Sequence, residues 1–181
     1  MKYIYGPVES RRLGFSLGLS LTPRKVCSFD CVYCQIGKTT DKTTKRSAYV
    51  NINDILEELK HWLSNNAQQA NTLSYITISG SGEPTLNTGV AELILRIKEI
   101  TPIPVAVITN SSLLVSQSVR SELLGASLIV PSLDAVRQDI FEKVDRPQEG
   151  IRVEDIIGGL ISLRKEFRGK IWLEVMLIKG I

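Results

Sequence analysis

The residues best suited to chemistry stand together in one run, Cys27-Ser28-Phe29-Asp30-Cys31-Val32-Tyr33-Cys34. It holds all 3 cysteines of the 181-residue chain. An odd number of thiols packed this tightly does not make a disulfide framework, so the run points to metal or redox chemistry. Three thiolates on one short loop can converge on a compact metal cluster. A cubane of four irons takes four ligands. Three cysteines therefore leave one iron to be completed from outside, and an open position marks a catalytic centre rather than a closed structural one. A structural zinc site would need four Cys/His ligands, but the one histidine, His61, lies far downstream on an expected helix. It reads as a surface or packing residue. No Cys-His or Ser-His-Asp arrangement can be built unless His61 is its base.

The rest of the chain alternates strands and helices. Phe15–Thr22 alternates apolar with small polar residues, as a strand with one packed face does, and Pro23 ends it. After the cysteine loop, Asn53 is the expected N-cap of a helix striped by Ile55, Leu56, Leu59 and Leu63. Leu73–Ser79 is a second strand, and Val90, Leu93, Ile94 and Ile97 mark the next helix. Val105–Thr109 is a third strand, followed by a short helix capped near Gly125. Leu128–Val130 is a fourth strand, then come helices around Arg137–Val144 and Val153–Phe167, and a fifth strand over Ile171–Ile178. Such alternation implies right-handed βαβ units and a parallel sheet in a single domain over residues 1–181.

Parallel sheets place their chemistry at the carboxyl ends of the strands. The cysteines follow the first strand, Gly80-Ser81-Gly82-Glu83-Pro84 the second, Asn110 the third, and Ser132 and Asp134 the fourth, which suggests one site at one rim. The glycine loop is not a P-loop, since no Gly-Lys-Ser/Thr follows. Its glycines would let backbone approach a ligand closely. Glu174 and Met176 share one face of the fifth strand, and a Glu174 facing an interior would need a partner. Arg11 and Arg12 are suited to holding a phosphate or carboxylate.

C-x3-C-x2-C with an aromatic before the last cysteine resembles the signature of the radical S-adenosylmethionine (SAM) superfamily. The segment Gly6–Gly14, with the rest of the chain through Met176, resembles a branch of iron–sulfur oxidoreductases related to wyosine-base tRNA-modifying enzymes. The resemblance implies a partial parallel (βα)6 barrel. It also implies a 4Fe–4S cluster on Cys27, Cys31 and Cys34, and SAM chelated to the open iron and cleaved to a 5′-deoxyadenosyl radical. On the same basis Gly82 and Glu83 match the Gly-Gly-Glu-Pro motif that meets the SAM amino group, with Ser81 in place of a glycine and Gly80 before it. Asn110 matches a contact to the ribose or carboxylate, Ser132 and Asp134 match polar strand-end positions, and Tyr33 would lie near the adenine. A reducing partner such as flavodoxin or ferredoxin is implied as well. Five strands are expected here, so the barrel reads as truncated at its C-terminus.

A hydrophobic content of 43% and a charged content of 23% are those of a globular domain. No apolar run approaches the ~20 residues that cross a bilayer, and no signal peptide opens the chain, so a cytoplasmic protein with no membrane partner is expected. Residues 1–46 carry nine Lys/Arg against three acids, net +6, and the remainder thirteen against sixteen, net −3. The basic part surrounds the cysteines, where it favours thiolates and anionic ligands and would be the footprint of an RNA substrate. The competing expectation is a non-catalytic iron–sulfur or zinc module for binding or electron transfer.

Overall fold

The computed structural model describes residues 1–22 and 25–181. In chain order its elements are β1 (Ile4–Ser10), β2 (Gly14–Ser20), the two-residue strands β3 (Val26–Cys27) and β4 (Asp41–Lys42), α1 (Ile52–Asn65), α2 (Ala67–Ala70) and β5 (Tyr75–Ser79). A 3₁₀ turn at Pro84–Leu86 follows, then α3 (Val90–Ile100), β6 (Val105–Thr109), α4 (Gln117–Leu123), β7 (Leu128–Pro131), α5 (Gln138–Val144), α6 (Val153–Glu166) and β8 (Lys170–Ile171). The main sheet runs β1-β2-β5-β6-β7-β8, and every pair is parallel except β1–β2. The expected α/β class with a parallel sheet is thus the observed one. The strand end expected at Pro23 lies outside the described residues.

One sheet face is buried under helices. Leu17, Leu19, Ile76, Ile78, Val105, Val107 and Ile129 meet Ile55, Leu56, Leu59, Leu93, Ile94 and Ile97 in one cluster. Each such side chain contributes roughly 1.5–3 kcal/mol on burial. The opposite face is smaller and more polar, because Ser16, Gly18 and Ser20 alternate with the leucines of β2. Part of that face is filled from an unexpected direction: Leu13, in the β1–β2 turn, packs on Ala106, Leu128 and Val130.

Four boundaries differ from expectation. The N-cap of α1 is Asn51, whose side chain accepts from the Asn53 N–H at 2.9 Å. The helix starts early because Ile52 is itself buried on the apolar stripe. At the end of α4 the cap residue is Leu124, and Gly125 is not among the left-handed glycines. β1 was not anticipated as a strand: Gly6-Pro7 interrupts its alternation, and its register to β2 shifts between Tyr5 and Val8. Proline is tolerated there because β1 is an edge strand. The fifth expected strand is short. Trp172 N and Glu174 N still donate to Ile129 O and Pro131 O at 3.0 and 2.9 Å, but Met176 N donates to the Asp134 carboxylate at 2.7 Å. That side chain takes the N–H a longer ladder would have used. Glu174 has the partner it required, an ion pair with Arg12. Arg12 thus holds a carboxylate of its own chain.

Candidate cofactor site at the strand carboxyl ends

The cysteine loop is shaped by its own polar residues. Cys27 ends β3, pairs in register with Lys42 and accepts through its carbonyl from Thr43 N at 3.0 Å. The buried Lys25 ammonium donates to Gly37 O and lies 4.0 Å from Asp30. Asp30 accepts from Thr39 N at 2.7 Å, and that bond, aided by Lys25, holds its carboxyl below the usual range. The loop is then strapped to the end of α5. Asp30 N donates to Asp145 O at 3.0 Å, Val32 N to Val144 O at 2.9 Å, and Gln148 N to Ser28 O at 2.7 Å. Beneath it Phe29 meets Phe141 edge to face, with ring centroids 5.3 Å apart.

All three cysteines are free thiols and half-buried. Burial, and then the charge of Glu83, pushes the Cys27 thiol up to about 11. Burial also raises the Cys31 thiol, with Asp145 adding to it, since Cys31 Sγ donates to Asp145 Oδ1 at 3.3 Å. These thiols therefore keep their protons until a metal replaces them, as metal binding to cysteine requires. Among the described residues no group of His, Cys, Asp or Glu side chains converges on a single metal ion. An iron–sulfur cubane bonds each thiolate to a different iron and so needs its sulfurs farther apart than one ion does. The donor set of three soft thiols on one loop fits such a cluster.

Glycine conformation fits the second loop to the first. A Cβ on Gly82 would lie 2.8 Å from the Val26 carbonyl carbon and closer still to its oxygen. Gly80 has a φ of +111° and a Cβ there would strike Ser20. The close approach expected of these glycines is thus made within the protein, by Gly82 to the backbone leading into Cys27 and by Gly80 to Ser20 at the end of β2. Glu83 is buried at 2% exposure and its N–H donates to Val26 O at 3.1 Å. Its Oε1 accepts from Thr85 N, Thr85 Oγ1 and Thr109 Oγ1 at 3.0, 2.6 and 2.7 Å, and its Oε2 from Asn110 N at 2.6 Å. Burial raises the Glu83 carboxyl, and these donors oppose the rise.

Tyr33, Asn110, Ser132 and Asp134 come together, lining one narrow cavity of about 10 Å³ with Phe29 and Asp145. Tyr33 donates its phenol to Asp134, and burial followed by that bond raises its pKa, so the phenol stays protonated. Asp145 is raised by burial and then by Asp134. Gly80 and Ser81 line a separate groove of about 470 Å³ with Tyr5, Ser20, Ile36 and Ser79. The cysteine loop lies between the two openings, facing the first with Phe29 and Tyr33 and the second with Gln35 and Ile36. The expected single rim is therefore divided, with Gly82 and Glu83 packed between its halves. Sequence reasoning missed Asp145, Ser28 and Ser112. No spacing ties Asp145 to Cys31 across 114 residues.

A family model described as the radical SAM superfamily matches residues 21–181. The chain belongs to the radical SAM superfamily. Membership implies a 4Fe–4S cluster and SAM as cofactors, the chemistry that the thiol loop fits. The chain is 47% identical over 180 residues to a Brachyspira hyodysenteriae protein named GTPase Obg, spanning 99% of itself and 26% of that relative. It is 35% identical over 183 residues to a UPF0026 protein of Methanocaldococcus jannaschii, spanning 100% of itself and 56% of the relative. The chain thus spans about a quarter and about half of these two proteins. Among solved structures, TYW1 with a lysine–pyruvate adduct bound superposes with a TM-score of 0.63 at 19% identity, covering 91% of this chain and 56% of that one. That likeness establishes the partial radical SAM barrel. No described helix is long and apolar enough to cross a membrane.

Proposed function

We propose that this radical SAM protein is an enzyme that cleaves SAM reductively and abstracts hydrogen from a separate substrate. Cys27, Cys31 and Cys34 hold the 4Fe–4S cluster. Tyr33, Gly80, Ser81, Gly82, Glu83, Asn110, Ser132 and Asp134 hold SAM. The observation that carries the reading is the direct packing of the thiol loop on the strand ends: Gly82 on Val26, and Asn110 on Ser28 and Cys27. Bound together, the two cofactors supply one-electron cleavage of SAM and, with it, hydrogen-atom abstraction.

The chain's own groups have definable parts. The Cys27 and Cys31 thiols release their protons when metal binds. Glu83 Oε2 accepts one hydrogen bond and keeps a lone pair for an ammonium donor. Tyr33 and Asp134 form a donor–acceptor pair at the edge of the smaller cavity. Phe29 and Phe141 keep water from the buried side of the loop. The electron comes from a carrier such as flavodoxin or ferredoxin. An RNA substrate draws on a basic region that is smaller than the charge count implies. Among the described residues, Arg12 is paired with Glu174, Lys25 is buried and Arg46 is bound to Glu122 at 2.8 Å, which leaves Lys2, Arg11, Lys38, Lys42 and Lys45 exposed.

The test is anaerobic reconstitution with iron and sulfide, followed by reduction, addition of SAM and assay of 5′-deoxyadenosine, with Cys34→Ala as control. Product from the native chain alone supports the enzyme. A cluster that forms and never cleaves SAM would leave a binding or electron-transfer module.

A further inference from the structure

Asn110 packs directly on the thiol loop. Its Nδ2 is 3.5 Å from Cys27 Sγ and 2.9 Å from Ser28 Oγ. The amide orientation is set by its other end, because Oδ1 accepts from Ser112 N at 3.0 Å and only a carbonyl can do so. The NH₂ therefore faces the loop with two hydrogens and two acceptors, one on Ser28 and one on Cys27. Ser28 is held in turn, with its Oγ 2.6 Å from Ser112 Oγ. The Asn110 backbone is fixed by its 2.6 Å bond to buried Glu83, which Thr85 and Thr109 also engage. Every polar atom of Asn110 named here has a partner, so its side chain is locked at Cys27.

We infer that Asn110 is a positioning residue that sets the reduction potential of the cluster by donating an amide N–H to the Cys27 sulfur, with Glu83 holding it there. The inference rests on the proposed cluster at Cys27. A hydrogen bond to a cluster sulfur stabilises the more negative, reduced state and raises the potential. The bond connects the strand-end loops to the ease of reduction.

The experiment is a potentiometric titration of the reconstituted protein without SAM, read by electron paramagnetic resonance. Asn110→Leu removes the donor. Asn110→Asp keeps the acceptor that the Ser112 N–H uses, so it preserves the turn, and it replaces the donor to Ser28 and Cys27 with a negative charge. Each is expected to lower the reduced-to-oxidised ratio about tenfold or more at a fixed solution potential, a shift of about 59 mV for a one-electron couple. The aspartate should give the larger drop. If Asn110→Leu fails to take up a cluster, the aspartate variant decides. A native potential in the variants that load, or a raised one, overturns the inference while leaving the radical SAM reading intact. A native chain that never takes up a cluster brings down both.

Discussion

Of the described glycines, Gly82 makes the closest approach, to Val26, and it yields a prediction with a definite size. In Gly82→Ala the added methyl would start 2.8 Å from the Val26 carbonyl carbon and nearer its oxygen. Both contacts are backbone, so no side chain can swing aside. The loops must separate, and separation breaks the 3.1 Å bond from Glu83 N to Val26 O. Overpacking of this kind costs about 1–3 kcal/mol, and the lost hydrogen bond adds about 1 kcal/mol. A loss of about 2–4 kcal/mol lowers Tm by roughly 4–16 °C for a chain of this size. The assay is thermal unfolding of the metal-free protein by circular dichroism. Gly158→Ala serves as control: its position on α6 has open space around it, and a helical Gly→Ala change is expected to stabilise by about 0.5–1 kcal/mol. A Gly82→Ala protein that melts with the native chain would show that the glycine does not join the two loops, and the account of the divided rim would fail with it.

Two further substitutions probe the frame around the site. Arg120→Ala removes a guanidinium that donates to Leu114 O and Val115 O at 2.8 and 2.9 Å and to both Glu166 oxygens at 2.9 Å, so a loss of about 2–3 kcal/mol in unfolding free energy, read by urea denaturation, is expected. Arg120→Lys should recover only part of it, since a lysine lacks the planar fork. Phe141→Ala takes the edge-to-face partner from Phe29 and leaves a cavity under the cysteine loop. It should cost about 3–5 kcal/mol in chemical denaturation and reduce the iron retained after reconstitution. Full iron retention in that variant would show that the loop holds its shape without α5.

What could be read from the residues alone is what depends on neighbours in sequence. The three thiols fall within one loop, and the strand-end residues each follow a run of alternating or apolar residues, so spacing and period were enough to place Cys27, Asn110 and Ser132 at one end of the sheet. What escaped depends on contacts between distant segments. Asp145 reaches Cys31 only because α5 turns its last residue under the loop, and nothing in Phe141–Pro147 announces that turn. Arg12 and Glu174 are separated by almost the whole chain, and they meet because the β1–β2 turn folds Leu13 onto Ala106 and Val130. Glu83 shows the distinction most clearly. Its residue type and motif suggested a ligand contact, yet most of its hydrogen-bonding capacity is spent inside the protein, on Thr85, Thr109 and the Asn110 backbone. A buried carboxylate needs such donors to remain charged. Beside the ligand contact proposed for it, the motif residue therefore has a second duty: it fixes the amide that touches Cys27. The second duty follows from packing across three strand ends, which no reading of the Gly-Glu-Pro motif by itself could supply.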